Sequence, residues 1–448
     1  MASKQPGLPG LSAATAPAER NGKAANRLEA HDRPVHDWYR FMLSFPPHLV
    51  RDYLADFRLT AGQTVLDPFC GTGTTLVEAK KHGLRAVGIE ANLFAHFASS
   101  VKVDWDVDPD GLLGGCQAVA QAATEALAAE GLHDNQPFEK QPRGLPLRAL
   151  DEEAGKLILA HSISPLPLHK TLTLLELLRP HAEARYDRHA LLALANALVF
   201  QISNLHFGPE VGVGKPKVDY PVVASWMGQV EKIARDLRLV AERAATPASV
   251  YQADARQAGA WLAAESIDAV ITSPPYPNEK DYTRTTRLES VLLGFVSSKA
   301  ELRALKQQLI RSNTRGVYKD DDDDRWVSEH PEVERIAQAI EARRIALGKS
   351  SGFERMYGKV TRLYFGGMAR HLADLRPALK PGAKLAYVVG DQASYLQVMI
   401  RTGQLLGEIA QALGYELVRT DLFRTRFATA TREQLREEVV VLRWPGGK

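Results

Sequence analysis

The sequence predicts an α/β fold: a mostly parallel sheet flanked by helices and interrupted by two largely helical insertions. Three observations predict it. Residues 63–92, QTVLDPFCGTGTTLVEAKKHGLRAVGIEAN, place two short β-branched runs around a glycine turn and a helix-forming stretch. Strand-like runs return only after residue 248, at SVYQAD and IDAVITS. Beyond residue 357 the chain alternates helix and strand again. Such alternation builds one sheet with helices on its faces, and the stretches between are insertions.

Taken in order, ordered structure is expected from about His36. After Pro47, the residues Leu49, Val50, Tyr53, Leu54 and Phe57 recur at helical spacing. A strand follows at 64–66, a glycine-rich turn at 67–73, a helix at 74–81 and a strand at 86–89 that ends on Glu90. In the first insertion the helical stretches are 115–130, 169–180, 189–204 and 223–244. Between the last two lies NLHFGPEVGVGKPKVDYP, long for a loop in a compact domain and so either functional or disordered. Strands are expected at 249–254 and 267–273. The second insertion contains the acidic run 320–324, which reads as a solvated, mobile loop. A helix at 358–378 ending at KPGAK, a strand at 383–391 and a helix at 403–413 closed by Gly414 come next. YELVRTDLFRT and REEVVVLRW end the chain as two strand-like runs, the last antiparallel. The expected organisation is a disordered tail over 1–30, a sheet domain in three parts (31–103, 249–283 and 358–448), and insertions at 104–248 and 284–357.

The totals set outer bounds. The chain has 448 residues, enough for about two to three domains' worth of material and a sizeable core. Apolar residues make up 45% and charged residues 24%, an ordinary globular mix. A net charge of +3 does not announce nucleic acid, so such a partner would be met by a local patch. Cys70 and Cys116 have no Cys or His at metal-ligand spacing, which argues against a structural zinc; no metal is expected. Their scarcity, with no signal-peptide core and no long apolar run, leads to the expectation of a cytoplasmic protein.

Asp67-Pro68-Phe69-Cys70-Gly71-Thr72-Gly73-Thr74-Thr75 sits where a parallel strand hands over to a helix. Glycines there let a ligand lie against the backbone, and in open α/β sheets ligands bind at this end. Taken alone, the loop is as well read as a tight turn. Two flanking features change that. The loop begins with an acid, which repels phosphate but suits a cation. Glu90 ends the next strand 23 residues beyond Asp67, where nucleotide sites place a ribose-hydroxyl partner. A nucleoside with a cationic amino-acid tail satisfies both, and S-adenosylmethionine is such a ligand. Asp254, ending the third strand, is then placed to accept from the adenine amino group.

With these residues in view, the chain resembles a known family. DPFCGTGTT, the strand-end Glu90 and TSPPY are similar to the signatures of S-adenosylmethionine-dependent amino-methyltransferases acting on nucleic-acid bases. The two spellings together most resemble the DNA cytosine-N4 group. FPPHLVRDYLADF occupies the place of that family's methionine-side segment. The resemblance covers about half the chain and leaves both insertions unexplained. It implies a seven-stranded Rossmann-like methyltransferase sheet. It implies cofactor contacts from Asp67, Pro68, Phe69, Gly71, Gly73, Thr74 and Glu90. It implies methyl transfer to an exocyclic base amine of double-stranded DNA, the target base flipped out, with cytosine N4 favoured over adenine N6. A restriction partner would be in keeping with such an enzyme.

The chemistry asked of Ser273-Pro274-Pro275-Tyr276 follows from the substrate. An exocyclic base amine is a poor nucleophile because its lone pair is delocalised into the ring. A catalyst must hold both amino hydrogens so that the nitrogen pyramidalises toward the methyl donor. The Ser273 hydroxyl and the Pro274 carbonyl are suitable acceptors. Pro275 keeps Pro274 extended, and neither proline brings a competing N–H. Tyr276 offers a flat face to a flipped base. Alone, the stretch is a proline-terminated strand; opposite DPFCGTGTT it becomes a catalytic floor. Serine rather than aspartate at 273 favours cytosine by resemblance only.

From Ser273 to Lys319 nine lysines and arginines face four acids, a local basic excess directly after this floor. Lys280, Arg284, Arg287, Arg311 and Arg315 are the candidate phosphate contacts there, and Lys215 and Lys217 are those of the first insertion. Either insertion is a candidate target-recognition region. The readings kept alongside are an RNA base amino-methyltransferase, a non-catalytic nucleic-acid-binding module, and a methyltransferase of small molecules or protein side chains.

Overall fold

The computed structural model describes residues 28–41, 44–140, 142, 144–181, 184–208, 210–278, 280–428 and 433–447. The tail expected over 1–30 therefore lies almost wholly outside the described residues. Structure begins before His36, with a 3-10 turn at Ala30–Asp32. Asp32 is buried and takes a hydrogen bond from Arg51 at 2.7 Å, which ties this turn to the first long helix, Pro47–Asp56.

Nine strands are described: β1 Thr64–Asp67, β2 Arg85–Glu90, β3 Leu205–Phe207, β4 Val211–Val213, β5 Ala248–Gln252, β6 Ile267–Thr272, β7 Leu379–Gly390, β8 Glu416–Ala428 and β9 Glu433–Arg443. Seven form one sheet in the order β5-β2-β1-β6-β7-β9-β8. The pairs from β5 through β7 are parallel, and β9 is antiparallel to both β7 and β8. The chain runs outward from β1 through β2 to β5, then returns to β6 on the other side of β1. That reversal places the β1 and β6 carboxyl ends side by side at a topological switch point, where open α/β sheets bind ligands.

Strand periodicity decides the core. Val65, Ala269, Ile271, Ala386, Val388, Val439 and Val441 pack on one face of the sheet. Their neighbours Leu66, Val270, Leu385, Tyr387, Val389, Val440 and Leu442 pack on the other. Successive side chains point to opposite faces, so a sheet covered on both sides needs nearly continuous apolar strands. Helices of the first insertion, Pro109–Ala129, Pro165–His181, Ala184–Ala197 and Val222–Val240, share the first core through residues such as Leu112, Leu174, Leu194 and Trp226. The helix Tyr357–Leu375 covers the second.

Several boundaries differ from expectation for local reasons. The helix expected from 115 begins at Pro109, because Asp108 caps it by accepting from the Asp110 and Gly111 amides. The helix expected over 189–204 ends at Ala197 in a π turn, Leu198–Ile202. The long segment after it is not an open loop: β3 and β4 pair within it as an antiparallel hairpin. The helix expected to reach 378 is α-helical only to Leu375, and β7 begins at Leu379, ahead of KPGAK's glycine.

The acidic run is the largest departure. It is solvated only in part: Asp320 and Asp322 are exposed, whereas Asp321 and Asp323 are engaged. Asp323 is buried and binds Arg256 at 2.5 Å and Arg370 at 3.2 Å, while Asp321 takes a two-bond fork from Arg311. Its backbone lies so close to the helix Tyr357–Leu375 that a Cβ on Gly366 would collide with the Asp323 carbonyl oxygen. Long-range partners, invisible in the run itself, turn charges into struts.

Candidate active site

The glycine loop leaves β1 at Asp67. The Asp67 side chain has no exposure; its Oδ1 accepts from Thr272 Oγ1 at 2.6 Å and from the Phe69 amide at 3.1 Å. Among the described residues its Oδ2 has no hydrogen-bond partner. Burial pushes its pKa up to about 6. Gly71 and Gly73 have φ of +51° and +83°, a backbone region that side chains with a Cβ avoid. Gly73 also caps the helix Thr74–Lys81, and a Cβ there would meet Ser99 at 3.1 Å.

Glu90, half-buried at the end of β2, braces this loop. Its Oε2 accepts from the Gly71 amide at 2.8 Å and its Oε1 from the Asn92 amide at 2.7 Å. Burial raises its pKa to about 7, and the nearby Asp67 adds to the rise. Asp254, after β5, accepts from the Arg256 amide and takes that guanidinium as a fork, at 3.0 Å from Nε and 2.7 Å from Nη2. Arg256 in turn binds Asp323, so the acidic run stands behind the end of β5.

The tetrad follows β6. Ser273 Oγ donates to the Val388 carbonyl on β7 at 3.2 Å. With its proton directed there, the hydroxyl has lone pairs left to accept. The Tyr276 amide donates to the Tyr282 hydroxyl at 3.3 Å. The Tyr276 ring lies on Gly390, where a Cβ would come within 2.9 Å of it. Burial, then the Glu437 charge, pushes the Tyr276 phenol well above its ordinary range. Tyr282 stacks with Phe41, ring centroids 6.3 Å apart.

One cavity of about 410 Å³ joins these parts. Pro68, Phe69, Gly71, Thr74, Glu90 and Asp254 line one end, and Ser273, Pro274, Pro275 and Tyr276 line another. Asp67 and Gly73 are not on its wall; they sit behind it and shape the loop. The wall also includes Arg311 and residues that sequence reasoning did not assign: Phe41, Asn278, the neighbours of Arg311 in the segment 308–313, and Arg424, Arg426 and Glu437 from β8 and β9. For the last three the only signal was the presence of charged residues within the strand-like runs LFRTRF and REEVV, which does not reveal their proximity to the end of β6.

The basic candidates divide. Arg311 is a correction: only 4% exposed, it lines the cavity, but its guanidinium is taken up by Asp321 and the carbonyls of Lys306, Gln307 and Leu309, which makes it a strut of the wall rather than a free cation. Arg287 is likewise engaged, with Thr283 and the Leu157 carbonyl. Lys217 binds the Gln201 and Ser203 carbonyls and lies over the Tyr220 ring. Lys280 lines the cavity, and Arg284 has one long pairing to Glu210 at 3.9 Å. Lys215 and Arg315 are exposed, with no ion pair among the described residues. No group of three or more metal-binding side chains occurs among the described residues. No described helix is long and apolar enough to cross a membrane.

Comparison with known proteins adds independent findings. Residues 18–98 match the DNA methylase family. The chain is 24% identical to Type II methyltransferase M.BsoBI of Geobacillus stearothermophilus across 94% of its length and 87% of that relative. It is 28% identical to Type II methyltransferase M.AvaI of Nostoc sp. across 40% of this chain and 38% of that one. Among solved structures, the rRNA methyltransferase aviRa of Streptomyces viridochromogenes superposes over 93% of this chain and 94% of its own at 11% identity, with a TM-score of 0.34, too loose to bear on function.

Proposed function

We propose that the chain is a DNA amino-methyltransferase, a reading supported by its match to the DNA methylase family over residues 18–98 and by its similarity to Type II methyltransferases. On this reading it transfers a methyl group from S-adenosylmethionine to an exocyclic amine of a DNA base, cytosine N4 above adenine N6. The observation that carries this reading is the single cavity shared by the glycine-loop wall and the Ser273-Pro274-Pro275-Tyr276 floor. S-adenosylmethionine supplies an electrophilic methyl on a sulfonium. The residues present suit it. Backbone at Pro68, Phe69, Gly71 and Thr74 gives the loop wall, Glu90 and Asp254 give carboxylates for hydroxyl and amine donors, and the Asp67 Oδ2 without a partner supplies negative potential behind the loop.

The chain's own contribution is alignment and acceptance. Ser273, its proton directed to Val388, accepts one amino hydrogen, and the Pro274 carbonyl accepts the other. The amine lone pair then leaves conjugation and points along the line of transfer, and the methylated amine releases one of its two held protons to solvent. Tyr276 supports the base plane. Lys280, Arg284, Arg315 and Lys215 are the cations left to meet phosphates, with the target base extruded into the cavity. A restriction partner and a cytoplasmic location complete the proposal.

The test is methyl transfer from labelled S-adenosylmethionine to DNA, followed by sequencing that separates modified cytosine from modified adenine. Label should appear on cytosine and disappear in the Ser273→Ala/Tyr276→Ala double variant. Gly71→Val, which strains a φ of +51° and puts a side chain into the cavity, should abolish cofactor binding. Labelling of RNA but not of any DNA would overturn the reading.

A further inference from the structure

Beside the tetrad, the cavity wall carries a charged pair that neither cofactor binding nor amine alignment uses. Arg424 on β8 and Glu437 on β9 are direct cross-strand partners. Arg424 Nε donates to Glu437 Oε2 at 2.6 Å and its Nη2 to Oε1 at 3.0 Å. Both line the cavity with Ser273 and Tyr276, and their side chains are 25% and 10% exposed. Gly390 brings them against the floor. A Cβ on that glycine would lie 2.9 Å from the Tyr276 ring and 3.3 Å from Glu437 Cγ, so ring and carboxylate stem pack side by side. The fork to Glu437 occupies two of the five guanidinium N–H groups and fixes the plane of the rest. Three donors remain, next to the place where a base amine would be held.

We propose that Arg424, oriented by Glu437, reads the ring edge of the target base and selects cytosine. The inference rests on the base amino-methylation proposed above. Along the edge that carries the amine, cytosine presents two acceptors in sequence, ring N3 and then O2. Adenine presents one, N1, followed by a C–H. A guanidinium donating two N–H groups is satisfied by cytosine and left with an unpaired donor by adenine, and a site built to hydrogen-bond rejects a base lacking the acceptor. Glu437 neutralises the guanidinium within a partly desolvated wall and holds its plane; it is a positioning residue, and Arg424 is the specificity determinant.

The experiment compares kcat/KM on a duplex carrying cytosine at the methylated position with one carrying an analogue that has C–H in place of ring N3, for wild type and Arg424→Gln. The analogue changes the intrinsic reactivity of the amine equally for both proteins, so the ratio of ratios isolates the contact. The cytosine-to-analogue ratio of wild type should exceed that of Arg424→Gln by about tenfold or more, while S-adenosylmethionine affinity by calorimetry is equal in the two. Glu437→Gln should show an intermediate preference. Should Arg424→Gln lose its fold by circular dichroism, Arg424→Lys carries the same comparison, since it keeps the charge but not the fork. An Arg424 substitution that keeps the wild-type cytosine-to-analogue ratio overturns this inference while leaving base methylation intact. Wild type that methylates adenine overturns the cytosine reading and this inference together.

Discussion

Asp67 and Glu90 are both held above the usual carboxylate range by burial, to about 6 and about 7. Each folded pKa lies above its unfolded value near 4, so the folded chain binds more protons between about pH 4 and 7. Their contribution to stability is therefore full below about pH 4 and is lost as pH rises through 6 to 7. A cationic ligand favours the ionised carboxylates, so cofactor affinity should move the other way. S-adenosylmethionine binding is expected to tighten from pH 5 to pH 8 with release of protons, and Asp67→Asn to bind more weakly with a shallower pH dependence. Calorimetry in two buffers of different ionisation enthalpy reads the proton release; affinity independent of pH would rule out this account. Both carboxyls were legible in the sequence as strand-end acids. The structure adds that Asp67 is a covered charge behind the loop and that Glu90 already braces two amides.

At the scale of elements, the same basic stretch holds side chains of opposite character. Arg311 and Asp321 form a buried fork that pins the segment 308–313 over the cavity. Arg311→Ala leaves Asp321 without its cation and should cost about 3–5 kcal/mol in urea unfolding, the usual cost of breaking a buried pair. Arg315→Ala, four residues on and exposed, should change stability by less than about 0.5 kcal/mol. It should instead weaken DNA binding and reduce the slope of log affinity against log salt by about one. Equal behaviour of the two substitutions in both measurements would overturn this division. In the sequence the two arginines look alike: the helical and strand elements around them follow from neighbours, whereas their partners lie on other turns. The first strand–turn–helix–strand unit, by contrast, was legible to within a residue, because glycine, proline and β-branched residues act on the backbone next to them.

At the scale of the molecule, the cavity is assembled from chain segments far apart: the loop after β1, the ends of β2, β5 and β6, the segment 308–313, and the β8–β9 pair. Ligand binding should therefore tie distant segments together. S-adenosylmethionine at about 100 times its Kd should stabilise the fold by about 2.7 kcal/mol, seen as a raised Tm. Hydrogen exchange should slow in the glycine loop and in 308–313 together. Slowing confined to the glycine loop would show that the second insertion does not close the cofactor end.

By itself the sequence determined the sheet, the glycine turn, the strand-end acids and the proline floor, since each is written in residues adjacent along the chain and acts through local backbone geometry and strand period. Only the tertiary structure decided which charges pair with which, and which of them reach the cavity wall. Arg256, Arg311, Asp321 and Asp323 became internal pairs, and Arg424 and Glu437 came to stand beside Tyr276. The physical reason is that a charge is stabilised by whatever the fold brings within a few ångströms, and those neighbours are set by the order of strands in the sheet.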